Sequence, residues 1–320
     1  MSLEDEINLR RTGLLSTSQL GLGDLRTVLA LAFQMKKGGY SLSTMSSLLS
    51  GKEFAMMFLE PSTRTRVSFE VAIGRLGANA INFDARSSSF KKGETLKDTV
   101  ATIGSYGFDG LVVRSSSVGA PSLINQWTEI PVVNAGDGAH QHPTQAMLDL
   151  MTLVEYCGSL DAIKGLRIGI VGDVAHSRVA RSLIDVMQKS GATVVLVGPA
   201  TLMTGRTWLD SVEFSNDLDC VLESLDVLYM LRLQQERIAE GLLPSNSEYI
   251  ARYSLTRERF AKIKDETVIM HPGPVHPGME IASDIVDSKA SLIRRQTANS
   301  VFLRMAVLAQ LFGKGEINVA

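Results

Sequence analysis

At 320 residues the chain has the length of roughly two domains of about 150 residues, enough for two hydrophobic cores. Its 32 basic and 34 acidic residues leave a net charge of −2, with no long basic run and no interleaving of basic with aromatic residues, so a nucleic-acid partner is not expected. No stretch approaches the ~18 uninterrupted apolar residues of a membrane span. The acidic opening Met1-Ser2-Leu3-Glu4-Asp5-Glu6 is unlike a secretory leader, and the expected location is cytoplasmic. Cys157 and Cys220 have neither CxxC nor metal-ligand spacing, so neither a disulfide nor a zinc site is expected. Both read as buried small hydrophobes.

The first short apolar run, Phe54 to Leu59, predicts a strand ended by Pro61. Val67, Phe69, Val71, Ala72 and Leu76 then recur at helical spacing. Between strand and helix lies Ser62-Thr63-Arg64-Thr65-Arg66, where three hydroxyls and two guanidiniums meet the N–H groups of a helix start. That combination suits a phosphate, because the positive end of the helix dipole and the unpaired N–H groups favour an anion. Ordinary capping by Ser62 or Thr63 needs only one oxygen, whereas cations in a first helical turn oppose the dipole unless an anion sits there.

A second strand is predicted over Ala80 to Phe83, followed by a serine-rich loop with Lys91-Lys92-Gly93-Glu94-Thr95 ahead of a helix from Thr95 to Ile103. The lysines suit an anion or a solvated loop. A third strand, Leu111 to Val113, ends in Arg114, and a fourth, Pro131 to Asn134, leads into Asn134-Ala135-Gly136-Asp137-Gly138-Ala139-His140-Gln141-His142-Pro143-Thr144-Gln145. Pro143 suits the first position of a helix over Thr144 to Tyr156, leaving His142 at its cap and Gln145 in its first turn. A capping histidine biased toward neutrality is suited to donate to a developing oxyanion. His140 and His142 lack a third ligand of matching spacing, and Asp137 equally fits a Gly-flanked turn, so no metal is expected.

Four further strands are predicted over Leu166 to Val171, Thr193 to Val197, Val227 to Met230 and Val268 to Met270, with helices over Arg178 to Met187, Tyr249 to Ile263 and Ser300 to Leu311. Gly169-Ile170-Val171-Gly172-Asp173 is like a dinucleotide turn but lacks GxGxxG. Arg178, together with Arg232 and Gln234 after the strand ending at Met230, would converge on one sheet edge as a fork for carboxylates. A cis bond at Gly273-Pro274 fits the proline-rich loop His271 to Gly278. Strands alternating with helices predict an α/β fold of two similar domains, each a parallel sheet covered by helices, with a cleft between them. The stretch from Cys157 to Gly165 is the best candidate for the boundary region. The expected domains are 1–150, 151–298 and a terminal helix over 299–320 packing back on the first, with sites beyond the carboxyl ends of the strands.

Taken together and in this order, Ser62 to Arg66, Lys91 to Thr95, Arg114, His142-Pro143-Thr144-Gln145, Arg178, Arg232-Leu233-Gln234 and His271-Pro272-Gly273-Pro274 resemble the aspartate/ornithine carbamoyltransferase family. The resemblance is closer to the aspartate branch, since the His-Cys-Leu-Pro and Ser-Met-Gly of the ornithine branch are absent. It implies transfer of the carbamoyl group of carbamoyl phosphate to the α-amine of L-aspartate, giving N-carbamoyl-L-aspartate and phosphate in pyrimidine biosynthesis, without cofactor or metal. It places Ser62, Thr63, Arg64, Thr65 and Arg114 on the phosphate and Thr65, Arg114 and His142 on the carbonyl oxygen. Gln145, Pro272 and Gly273 would orient the carbamoyl amine, and Arg178, Arg232 and Gln234 would hold aspartate. Ser88 and Lys92 would reach carbamoyl phosphate from an adjacent subunit, with Lys92 also on aspartate and catalytic, which implies a homotrimer with shared active sites. A regulatory chain or dihydroorotase as partner stays open. One departure is visible: where family members often carry an arginine after His-Pro-x-Pro, this chain reads His276-Pro277-Gly278.

Overall fold

Nine strands form two separate parallel sheets among the residues the computed structural model describes, 9–83, 95–203, 212–234 and 245–313. The chain divides into two compact units, one comprising the chain up to Leu148 and from Ala298 onward, the other Asp149–Thr297. The division falls within two helices rather than in a loop.

In the first unit β1 (Glu53–Phe58), β2 (Asn79–Phe83), β3 (Gly110–Ser115) and β4 (Val132–Asp137) align in the order β2-β1-β3-β4, all parallel. The helices are α1 (Leu22–Lys36), α2 (Leu42–Ser47), α3 (Thr63–Arg75), α4 (Leu96–Gly104), α5 (Ala120–Thr128) and the start of α6 (Pro143–Cys157). The apolar runs in β1 and β3 are buried on both faces, as Phe54, Ala55, Met56, Leu111, Val112 and Val113 are fully enclosed. Gly110 opens β3 because a Cβ there would come within 2.7 Å of the Phe312 ring and 2.8 Å of Phe54. Those rings meet edge-on with centroids 4.9 Å apart, which ties the C-terminal helix to this sheet. The same helix buries Arg304, its guanidinium 4.8 Å above the Phe69 ring of α3.

In the second unit β5 (Arg167–Val171), β6 (Thr193–Val197), β7 (Glu213–Ser215), β8 (Val227–Met230) and β9 (Val268–Met270) align as β7-β6-β5-β8-β9, again parallel. The helices are α7 (Arg178–Lys189), α8 (Asn246–Tyr253), α9 (Arg257–Phe260) and the start of α10 (Ile293–Phe312). The short β7 was not among the expected strands, since its two exposed residues of three carry no apolar run. It is held by pairing with β6 and by the Arg167–Glu213 ion pair across the sheet.

Two expectations need correction. The helix predicted over Tyr249 to Ile263 is two helices, because buried Leu255 between them leaves the helical path and pairs with Ile281 as an isolated parallel bridge. Its N–H reaches the Glu280 carbonyl at 2.9 Å, and Thr256 then caps the second helix. The cysteines are not both buried: Cys157 is half-buried at the end of α6, and Cys220 is exposed in a turn beside Asp217.

Candidate active site

The carboxyl ends of β1, β3 and β4 are neighbours in the first sheet, so the loops that follow them lie side by side on one edge. The loop after β1 delivers Ser62 to the N-cap of α3. Ser41, Thr95, Ser177, Ser245 and Thr256 precede other helices and each accepts a backbone N–H with its side chain. Ser62 makes no such bond; its hydroxyl instead donates to Thr65 Oγ1 at 3.0 Å. The Ser62 side chain therefore does not cap the first turn of α3, and no acidic residue occupies that turn, the positive end of the helix dipole. Thr65 is buried while Thr63 and Arg64 are exposed. Arg66 does not join the cluster, since it turns along the helix toward Glu70, 3.8 Å away.

Arg114, near the end of β3, donates Nη1 to the Ala135 carbonyl at 3.1 Å and lies 3.7 Å from Glu60 through Nη2. Its side chain is thus clamped between the loop after β1 and strand β4. The β4 loop is itself built around Asp137, which is buried and takes hydrogen bonds from Asn134, Gly119, Gln141 and His140. Gly138 is required here: its φ of 47° favours glycine, and a Cβ would meet the Val118 side chain at 2.6 Å. The loop delivers buried His142 directly ahead of Pro143, its carbonyl accepting the Ala146 N–H at 3.3 Å, and places buried Gln145 in the first turn of α6. Ser62, Thr65, Arg114, His142 and Gln145 therefore stand on one sheet edge, a set of hydroxyls, a guanidinium, an imidazole and an amide fitted to a phosphorylated carbonyl compound. Ser88 and Lys92 lie outside the described residues.

In the second unit the adjacent ends of β5, β8 and β9 carry the other expected residues. Arg178 opens α7 and is buried, next to the capping Ser177. Arg232 and Gln234 follow β8, and the loop after β9 carries Pro272 and Gly273 with the Gly273-Pro274 bond cis. The Gly273 N–H donates to His271 Nδ1 at 2.8 Å.

Two carboxyls that the sequence reading did not select organise this edge. Glu280 is fully buried and accepts the Leu233 N–H at 3.0 Å and the His276 N–H at 2.7 Å, joining the loop after β8 to the one after β9. Asp173 accepts the His176 ring Nδ1 at 2.8 Å and is also approached by the Gln234 backbone N–H. Burial pushes both carboxyls above their ordinary range, against the donors around them. The Met279-Glu280-Ile281 context, a lone acid inside an apolar triplet, was the available sequence signal.

A model of the carbamoyl-phosphate-binding domain of aspartate/ornithine carbamoyltransferases matches residues 13–155, and a model of their Asp/Orn-binding domain matches residues 164–311. The chain belongs to the aspartate/ornithine carbamoyltransferase family. Among its relatives in that family, the aspartate carbamoyltransferase catalytic subunit of Frankia casuarinae is 46% identical over 306 residues, covering 95% of each chain. That of Gluconobacter oxydans is 48% identical over 272 residues, covering 85% of this chain and 86% of its own. The carbamoyltransferase fold is likewise that of Trypanosoma cruzi aspartate transcarbamoylase in complex with carbamoyl phosphate and aspartate, with TM-score 0.86 and 31% identity over 96% of this chain and 98% of that one.

Proposed function

We propose that the chain transfers the carbamoyl group of carbamoyl phosphate to the α-amine of L-aspartate, releasing N-carbamoyl-L-aspartate and inorganic phosphate, a step of pyrimidine biosynthesis. The observation that carries the reading is the uncapped start of α3 beside Arg114, His142 and Gln145 on one sheet edge. Ser62, Thr63, Arg64, Thr65 and Arg114 hold the phosphate. The amine lone pair attacks the carbamoyl carbon, and the carbonyl oxygen takes the negative charge while Thr65, Arg114 and His142 donate to it. Collapse breaks the carbon–oxygen bond to phosphate, and the departing phosphate accepts the proton lost by the amine. Gln145 and the carbonyls of Pro272 and Gly273 orient the carbamoyl amine. Arg178, Arg232 and Gln234 bind the two carboxylates of aspartate.

Positioning two bound reactants supplies about 7–11 kcal/mol of barrier reduction, and each oxyanion donor roughly 3–4 more, so these residues meet the chemical need without cofactor or metal. Ser88 and Lys92 complete the site from a neighbouring subunit of a cytoplasmic homotrimer, Lys92 acting in catalysis as well as on both substrates. In support of a subunit contact, edge strand β2 is largely exposed, with Ile81 on it and Val67 and Val71 on α3 presenting apolar side chains.

The test is product formation by the purified chain from carbamoyl phosphate, with L-aspartate and L-ornithine assayed in parallel and the native mass measured alongside. Turnover with aspartate alone and a mass of three chains are expected. Turnover with ornithine instead would retain the donor half and overturn the acceptor half. A mass above three chains in a cell extract would point to a regulatory chain or dihydroorotase on the trimer.

A further inference from the structure

We infer that Asp137 is the positioning residue of the oxyanion site, holding Arg114 through the Ala135 carbonyl and His142 through the backbone of Gln141. The inference rests on the carbamoyl-transfer reading. Asp137 Oδ1 accepts Asn134 Nδ2 at 2.9 Å and the Gln141 N–H at 3.0 Å, while Oδ2 accepts the Gly119 N–H at 2.8 Å and His140 Nδ1 at 3.0 Å. A carboxylate can only accept, so His140 carries its proton on Nδ1. The carboxylate is thus saturated by donors from the end of β4, the start of α5 and the residues just before α6.

The acceptor of Arg114 Nη1, the Ala135 carbonyl, lies between Asn134, which donates to Asp137, and Gly136, whose N–H donates to Asn134 Oδ1 at 2.8 Å. Gln141, whose N–H Asp137 holds, directly precedes His142, and its own side chain accepts from Thr17. One carboxylate therefore ties the end of β4, whose Ala135 carbonyl receives Arg114, to the segment that leads into His142. Burial opposes its charge, yet the bonds from His140, Asn134 and Gly119 hold it below the usual carboxylate range, so it stays a full acceptor at neutral pH. All four bonds of the Asp137 carboxylate go to protein groups. It acts by keeping the donor geometry, where a displacement of about 1 Å can cost on the order of 100-fold in rate.

Asp137→Asn turns one oxygen into a donor facing other donors. We expect kcat to fall roughly 10- to 100-fold while the KM for aspartate stays within about 3-fold. The comparison variant is Ile103→Ala, a core substitution in the same unit that lowers Tm without touching this loop, and it should keep the parental kcat. Parental kcat in a folded Asp137→Asn protein, or an equal kcat loss in Ile103→Ala, would overturn the inference. If Asp137→Asn is recovered only as aggregate, Asn134→Ala withdraws one donor and is read by the same split: a kcat loss at constant aspartate KM supports the role, and an unchanged kcat overturns it. Absence of turnover in the parent itself would instead bring down the carbamoyl-transfer reading.

Discussion

Both units set buried carboxyls behind the loops of their active edges and treat them in opposite ways. In the first unit Asp137 is surrounded by four donors, among them His140 and two backbone N–H groups, and its carboxyl is held below its ordinary range. In the second, Glu280 and Asp173 are deeper than their donors can offset, and burial pushes both up. A saturated carboxylate is a fixed brace whose charge does not change near neutrality, which suits a loop that must hold oxyanion donors to a fraction of an ångström. A carboxyl that burial pushes upward leaves the loops it joins sensitive to their electrostatic surroundings, here Arg232 and the His276 side of the loop. The proposed acceptor edge brings further cations and an anionic substrate to that same place. The contrast predicts that the first unit governs kcat and the second governs the apparent affinity for aspartate.

The largest effect should come from Arg114→Ala. Losing an oxyanion donor costs on the order of 100- to 1,000-fold in kcat, and the lost phosphate contact should add weaker carbamoyl phosphate binding. Steady-state kinetics with both substrates varied would read it, and a change confined to the aspartate KM would break the comparison. Next in size is Glu280→Gln, which exchanges one of two acceptors for a donor and leaves the N–H of Leu233 or His276 unmet. A buried unsatisfied group costs about 1–3 kcal/mol, which displaces Arg232 and Gln234 and should raise the aspartate KM by roughly 5- to 100-fold with kcat little changed.

Stability against pH sharpens the same contrast, and the signs differ. Asp137 has a lowered folded value, so its contribution is present above the ordinary carboxylate pKa and disappears as pH falls through the lowered one. The denaturation gap between the parent and Asp137→Asn, about 1–3 kcal/mol at neutral pH, should therefore narrow in acid. Glu280 has a raised folded value, so the folded protein holds the proton more tightly, and the parent loses stability as pH rises from about 4.3 through the raised value. The gap between the parent and Glu280→Gln should accordingly widen as pH falls through that window. Parallel behaviour of the two gaps in urea titrations would show that the two edges are not differently built.

Much of this arrangement was legible in the residues, and the exceptions have a physical pattern. Near-continuous apolar runs such as Leu111 to Val113 mark strands buried on both faces, and hydroxyl-cation clusters stand out at their ends. Polar residues that serve other protein groups leave no such mark: Glu280 reads as a lone acid, Asp137 as a turn former, and Arg66 as part of a phosphate cluster although it pairs with Glu70. Burial is what separates these roles, and a local pattern does not encode it. The same limit explains β7, whose three residues are held by a neighbouring strand rather than by their own apolarity, and the break at Leu255, whose burial preserves the helical period across a bridge.

The smallest effect concerns the loop His276-Pro277-Gly278, where the family resemblance implies an arginine. Pro277 is exposed beside His276, and the turn is closed by the Gly278 N–H on the Ile281 carbonyl at 2.8 Å, so an arginine side chain at 277 would project into solvent without disturbing that bond. An exposed cation near a dianionic substrate is worth at most about 1 kcal/mol because water and salt screen it. Pro277→Arg should then lower the aspartate KM by no more than about 5-fold, with kcat constant, and the gain should fade as ionic strength rises. A larger gain that survives high salt would mean that the arginine reaches a desolvated carboxylate, and that the loop after β9 reads the substrate directly rather than through the Glu280 brace.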